Sequence, residues 1–114
     1  MKNFKELKIW QKGFDSTINS FMITRGFPAE QKFVLTSKIT RAAISIPSNI
    51  AEGNSRTSDK DKNRFIEIAL GSCFEMETQL LISKTWVWRS VINLFNAGSS
   101  DEGRKDAYLI QQNS

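Results

Sequence analysis

Arg41, Ser45, Asn49, Glu52 and Glu75 are the residues whose types could do chemistry together. Arg41, Ser45, Ser48 and Glu52 step by four, three and four positions, which places them on one face of a helix. Glu75 lies on a later helical stretch, and two carboxylates such as Glu52 and Glu75 could in principle share acid–base work. Nothing accompanies them. The 114-residue chain has no histidine, so a Ser-His-Asp triad and a Cys/His zinc site are both excluded within it. No nucleophile, metal cluster or phosphate-cradling glycine loop completes a reaction centre. These five residues therefore read as an architectural network of ion pairs and hydrogen bonds that fixes helix register or a subunit contact. The alternative is a ligand or nucleic-acid site built from the same side chains. No catalytic residue, cofactor or metal is expected.

Charge supplies a second kind of chemistry. Residues 1–64 carry 12 Lys and Arg against 6 Asp and Glu, within a chain of net charge +4. A basic first half suits a polyanionic partner, and a solvated surface is the plain alternative. Lys5, Lys8 and Lys12 step by three and four, so they form a ridge, with Lys2 just ahead. Arg56, Lys60, Lys62 and Arg64 form a second cluster. Both are candidate contacts to RNA or DNA. Aromatic residues do not interleave with the lysines on one face, so base stacking is not expected.

The elements that position these groups are helical. Leu7, Trp10, Phe14, Ile18 and Phe21 mark an apolar stripe on a first helix from Phe4 to about Arg25. Gly26 ends it, and Phe27-Pro28 makes a turn with Pro28 at the first position of the next helix. The second helix runs from Ala29 to about Glu52, with Leu35, Ile39, Ala43, Ile46 and Ile50 inward. Pro47 lies inside it, lacks an N–H and crowds the carbonyl of Ala43, so one kinked helix is expected rather than two. Gly53-Asn54 is a stop signal, and Ser58 is the N-cap of a third helix. Phe65, Ile68, Ser72, Met76 and Leu80 form one stripe of that helix, and Ile66, Leu70, Phe74 and Leu81 a second. A helix apolar on two sides is buried on two sides, centrally in a bundle or at a subunit contact. Gly71-Ser72 suggests close approach of a neighbouring helix. The apolar phase continues through Val87, Val91 and Leu94, so this helix could run to about Asn96, and Asp101 to Gln112 could form a short helix.

One domain, residues 1–114, suits this length. No apolar run is long enough to span a membrane, and Met1–Glu6 lacks the apolar core of a signal peptide. The single cysteine, Cys73, excludes an internal disulfide and fits a reducing cytoplasm.

The run Ser37-Lys38-Ile39-Thr40-Arg41-Ala42-Ala43-Ile44-Ser45-Ile46-Pro47-Ser48-Asn49-Ile50-Ala51-Glu52-Gly53 resembles the signature of the bacterial proteins encoded in 23S ribosomal RNA intervening sequences. Lys8-Ile9-Trp10-Gln11, Phe27-Pro28 and Phe65-Ile66-Glu67-Ile68-Ala69-Leu70-Gly71-Ser72 extend the likeness, as do Glu75 and Glu77-Thr78-Gln79-Leu80. The resemblance spans residues 4–84 and implies an all-α, antiparallel up-down four-helix bundle that assembles as a homopentamer. It is also similar to the accessory determinant of diversity-generating retroelements, a basic pentamer that works with a reverse transcriptase and binds nucleic acid. The implied function is that of a non-enzymatic nucleic-acid-binding oligomer, with a protein-interaction module of unknown process as the alternative. Family membership says more of fold than of function.

After Lys84 the sequence departs from the family pattern, leaving a family-like core, 1–84, and a divergent tail, 85–114. The family implies a turn containing Asp or Asn, then Leu-Gly, then a fourth helix. A bundle missing that helix leaves apolar faces of the first and third helices uncovered. The third helix, running on with Trp86, Trp88, Leu94 and Phe95, could cover part of them. Lys84-Thr85-Trp86-Val87-Trp88 must be encoded AAR ACN TGG GTN TGG. Read from the third base of the lysine codon, that is Asn or Asp, then Leu, Met or Val, then an obligatory Gly. The tail thus reads as a frameshift product, with natural divergence as the alternative. The gene sequence is the test: beyond Lys84 the shifted frame should stay open and encode an amphipathic helix, and an early stop there would end the idea.

Overall fold

The computed structural model describes residues 3–96, apart from the side chains of Trp88, Val91, Leu94 and Phe95. Every element is helical: a short 3-10 turn at Phe4–Glu6, then α1 (Lys8–Arg25), α2 (Ala29–Ser55) and α3 (Asp59–Asn96). The all-α expectation holds. The four-helix count does not: the described residues contain three α-helices, and past Lys84 the chain continues α3 as one helix of 38 residues. The short helix expected at Asp101–Gln112 lies outside the described residues. The chain divides into two units, Met1–Leu80 and Leu81–Ser114.

Local chemistry sets the element ends. The Asn3 side chain accepts from the Lys5 amide at 3.0 Å and caps the 3-10 turn. Leu7 is extended, with φ −72 and ψ 126, so the single first helix expected from Phe4 is broken there. Gly26 follows Arg25 at the C-cap of α1, and Pro28 holds the N-cap of α2, one position earlier than expected. The Ser58 hydroxyl accepts from the Asp61 amide at 3.1 Å, which is the expected cap of α3. Gly53 does not stop α2, which runs on to Ser55. Its reason is packing. A Cβ at Gly53 would lie 3.0 Å from the Phe65 Cβ and 3.3 Å from the Lys62 carbonyl oxygen.

In the first unit α2 is the central helix. Its Leu35, Ile39, Ala43, Ile46 and Ile50 are buried, as the spacing predicts. Ile46 and Ile50 form a core with Ala69 of α3, and Leu7, Trp10, Cys73 and Met76 pack around it. Gly13 and Thr17 of α1 meet Pro47 and Ala43 in reverse order, so α1 and α2 are antiparallel. Gly53 with Phe65, and Ser45 with Ser72, show the same for α2 and α3.

The α1–α2 contact is organised around the proline. Pro47 has no N–H, so the carbonyl of Ala43, four residues earlier, loses its helical donor. The Thr17 hydroxyl takes that place. Its oxygen lies 2.8 Å from the Ala43 oxygen and 3.0 Å from the Gly13 oxygen, so one proton serves both. Pro47 therefore stays inside one continuous α2. At the same level a Cβ on Gly13 would lie 3.0 Å from Ile46 Cγ2 and 3.4 Å from the Pro47 nitrogen, so the two backbones approach too closely for a larger residue.

This closeness corrects the apolar stripe expected on α1. The buried residues are Gly13, Thr17, Ser20 and Thr24, which step by four, three and four. Phe14, Ile18 and Phe21 are 45%, 43% and 41% exposed. Only small residues fit the seam, and their hydroxyls bond back to their own helix: Ser20 to the Thr17 carbonyl at 2.7 Å, Thr24 to the Ser20 carbonyl at 2.9 Å. The seam is polar in composition yet leaves no hydroxyl in need of water.

α3 buries one side. Ala69 and Ser72 are buried, while Ile66, Leu70 and Phe74 of the second stripe are exposed. The close approach expected at Gly71-Ser72 belongs to Ser72, since a Cβ on Gly71 meets nothing within 4 Å. The up-down-up order leaves a slot between α1 and α3. It is an open apolar groove of about 300 Å³, floored by Ile46 and Ile50 and walled by Ile9, Ile66 and Leu70. In the second unit, Ser83 is buried, while Leu81 and Ile82 are exposed.

Thr17→Val keeps the volume of the threonine and removes the donor. In urea unfolding at fixed protein concentration it should cost about 1–3 kcal/mol, the penalty of a buried unsatisfied carbonyl. In a Pro47→Ala background, where residue 47 regains an N–H for Ala43, the same substitution should cost clearly less. Equal costs in both backgrounds would disprove the coupling.

Candidate nucleic-acid interface

Lys5, Lys8 and Lys12 are all exposed and follow one another from the 3-10 turn into α1. Their relative placement is fixed by the backbone around Leu7. The Gln11 side chain donates to the Lys5 carbonyl at 2.9 Å, tying the turn to the first turn of α1. Gln11 and Asn3 are the residues that sequence reasoning passed over here. The signal for Asn3 was its capping chemistry just ahead of the helix. The Lys5 ammonium lies 6.0 Å from the centre of the Phe4 ring. Among the described residues no ion pair joins any of these three lysines to a carboxylate, and with Glu6 and Asp15 the stretch from Lys2 to Asp15 keeps a net positive charge. Lys2 lies outside the described residues.

Phe4, Trp10 and Phe14 form an aromatic row, with ring centres 5.3 Å and 5.2 Å apart. Helical spacing puts Trp10 and Phe14 on the α1 flank opposite Lys8 and Lys12. Trp10 and Phe14 line the outer α1–α2 groove with Ile44 and Pro47, which leaves the ridge to act through charge.

The second basic cluster has a different character. Arg56 pairs with Glu52 one turn earlier. The guanidinium groups of Arg56 and Arg64 each lie 4.9 Å from the centre of the Phe65 ring, so both are held by cation–π contact. Glu52, Asp59, Asp61 and Glu67 are interleaved with Arg56, Lys60, Lys62 and Arg64, which cancels the cluster's charge. Phe65, seen in the sequence only as core, is the group that organises this corner.

The five polar residues do not come together as one network. Ser45 and Asn49 do meet. The Asn49 amide donates to the Ser45 carbonyl at 2.7 Å and hydroxyl at 2.9 Å, and the Ser72 hydroxyl donates to that of Ser45 at 2.8 Å. This chain ties α3 to α2. Glu52 turns to Arg56 instead, and Glu75 accepts from the Gln79 amide at 3.2 Å. Arg41 is exposed and forms no ion pair or side-chain hydrogen bond among the described residues. Of the expected network, Arg41 and Glu52 take no part in the Ser45–Asn49–Ser72 chain. Eleven residues of helix separate them by about 16 Å, and both side chains leave the core.

No group of three or more His, Cys, Asp or Glu side chains able to hold a metal exists among the described residues. No described helix is long and apolar enough to cross a membrane.

No curated protein matches the chain. A protein-family comparison does match: the model of the 23S rRNA-intervening sequence proteins aligns with residues 5–93. The alignment runs past Lys84, so the divergence expected there is not where the family match ends. α3 likewise continues through those residues. With most of its length matched, from the lysine ridge through the proline helix and into the second half of α3, this chain belongs to the 23S rRNA-intervening sequence protein family.

Proposed function

We propose that the chain works without catalysis, as a self-associating accessory factor that holds RNA or DNA on the ridge of Lys2, Lys5, Lys8 and Lys12. The observation that carries this reading is the unneutralised ridge: three exposed lysines, pinned by Gln11 and free of carboxylate partners among the described residues. The self-cancelling cluster of Arg56, Lys60, Lys62 and Arg64 contributes less. Three or four phosphate contacts from one copy bind weakly, and several copies on one strand raise the affinity through avidity. The homopentamer implied by the resemblance is one assembly that would do so, and a reverse transcriptase is the kind of protein partner it implies. Self-association would also complete the four-helix arrangement between chains, since the α1–α3 groove is where an up-down bundle takes its fourth helix.

A protein-interaction module without nucleic-acid binding is the second reading. It is favoured by exposed apolar residues such as Phe33 at 90% and Met22 at 64%.

Fluorescence anisotropy with single-stranded RNA and duplex DNA, at rising salt, separates the two. Binding should fall steeply with salt, with a log–log slope of roughly −3 per copy engaged. Lys5→Glu/Lys8→Glu/Lys12→Glu should weaken it at least about tenfold, and Arg56→Ala/Arg64→Ala by less than about threefold. Absence of binding even at low salt removes the first reading and leaves the second.

A further inference from the structure

The first unit carries two exposed apolar faces, on opposite flanks of α1. One is the α1–α3 groove, with Ile9, Ile66 and Leu70 on its walls and Phe74 one turn beyond Leu70. The other is a ridge: Phe14, Ile18 and Phe21 follow one another along α1, with the exposed Ile44 of α2 beside them. The buried seam of Gly13, Thr17 and Ser20 runs between the two on the helix, so they point away from each other. That seam admits only small residues, so the ridge has no place inside its own unit.

Ridge and groove match in length and in charge. Phe14 to Phe21 takes about 10 Å of helix, and Ile66 to Phe74 about 12 Å. Each face exposes roughly 300–400 Å² of apolar side chain, near the apolar share of what one partner buries in a standard interface. Paired with its own copy about a two-fold axis, either face would leave the other bare. Laid one on the other, both are covered. Between Phe65 and Leu80, α3 carries Glu67, Glu75 and Glu77 and no Lys or Arg. Helical spacing puts Glu67 and Glu77 beside Leu70, on the groove side. On the ridge side Arg41 stands one turn before Ile44, exposed and without an ion pair or side-chain hydrogen bond among the described residues.

We propose that the α1 ridge of one copy lies in the α1–α3 groove of the next, head to tail, as the fourth helix of that copy's bundle. Arg41 of the first then faces the Glu67 and Glu77 side of the second. Every copy gives one face and receives the other, so the contact repeats in one direction and closes into a ring where the rotation per copy divides a full turn. Such a ring has no need of a two-fold axis and accepts an odd number of copies, as in the homopentamer implied by the resemblance. Lys12, on the α1 wall, is exposed, and its long stem carries the ammonium to the rim of the groove, where the lysine ridge continues. The contact presupposes the self-association proposed above, and it uses only residues of the first unit.

Ile18 and Leu70 are the middle residues of their stripes, so they meet whichever way the incoming helix runs. In a full-length Cys73→Ser background, Ile18→Cys and Leu70→Cys chains are mixed, equilibrated and mildly oxidised. The mixture should give disulfide-linked dimers with one of each, and neither variant alone should link. In sedimentation, Arg41→Glu should weaken association at least about tenfold, and adding Glu67→Lys/Glu77→Lys should restore it. Linked dimers in either variant alone, an assembly without the mixed link, or association indifferent to Arg41→Glu would overturn this contact while leaving self-association in place. A chain that stays monomeric at tens of micromolar would overturn both. Arg41 is exposed, so the charge exchange remains readable should the cysteine variants fail to fold.

Discussion

A carbonyl without a donor is the constraint on which this fold rests. Pro47 removes the helical partner of Ala43 in the middle of the central helix, at a buried position. The group cannot be left unmet in a buried position without a cost. The answer comes from the neighbouring helix, through Thr17. That one bond fixes which face of α1 turns inward, how close the two backbones come, and which residues fit between them. Gly13, Ser20 and Thr24 are the small residues that share this buried face of α1 with Thr17.

Parts of this were legible in the sequence, and the reasons differ by element. The inward face of α2 follows from the spacing of Leu35, Ile39, Ala43, Ile46 and Ile50, because on that helix the apolar stripe and the buried stripe coincide. On α1 they do not. Hydrophobicity ranks Phe14, Ile18 and Phe21 above Thr17 and Ser20, yet the larger residues cannot enter a contact this tight. The readable signal was the equal spacing of Gly13, Thr17, Ser20 and Thr24, taken together with an interior proline that must borrow a donor. The polar residues were half legible. Ser45 and Asn49 belong to one hydrogen-bonded chain, but its third member is Ser72, a residue whose stripe made it look like core. Glu52 was misplaced because α2 runs past Gly53 and brings Arg56 within reach.

The surfaces follow from the same packing. Once small residues fill the α1–α2 seam, the bulky residues of α1 face outward. In the first unit, the second stripe of α3 (Ile66, Leu70 and Phe74) is left exposed. The chain is thus rich in apolar surface that ordinary solubility would disfavour. Its charges sort into one ridge that is free to act and one corner that cancels itself around Phe65. Under the proposed function, the apolar areas would join copies, and the free charges would remain outside for another partner.

Two bonds that join the helices are close in sequence. Thr17 and Ala43 are 26 residues apart, and Ser45 and Ser72 are 27 apart. Each closes a hairpin of modest loop length, so each first-unit contact forms at small cost in chain entropy and on a fast timescale. The three helices can therefore meet before the chain encounters any other molecule. Under the proposed self-association, covering the exposed stripes would be a later event whose rate depends on the square of the protein concentration. A dilute solution would hold the chain folded in its first unit but with those stripes still bare.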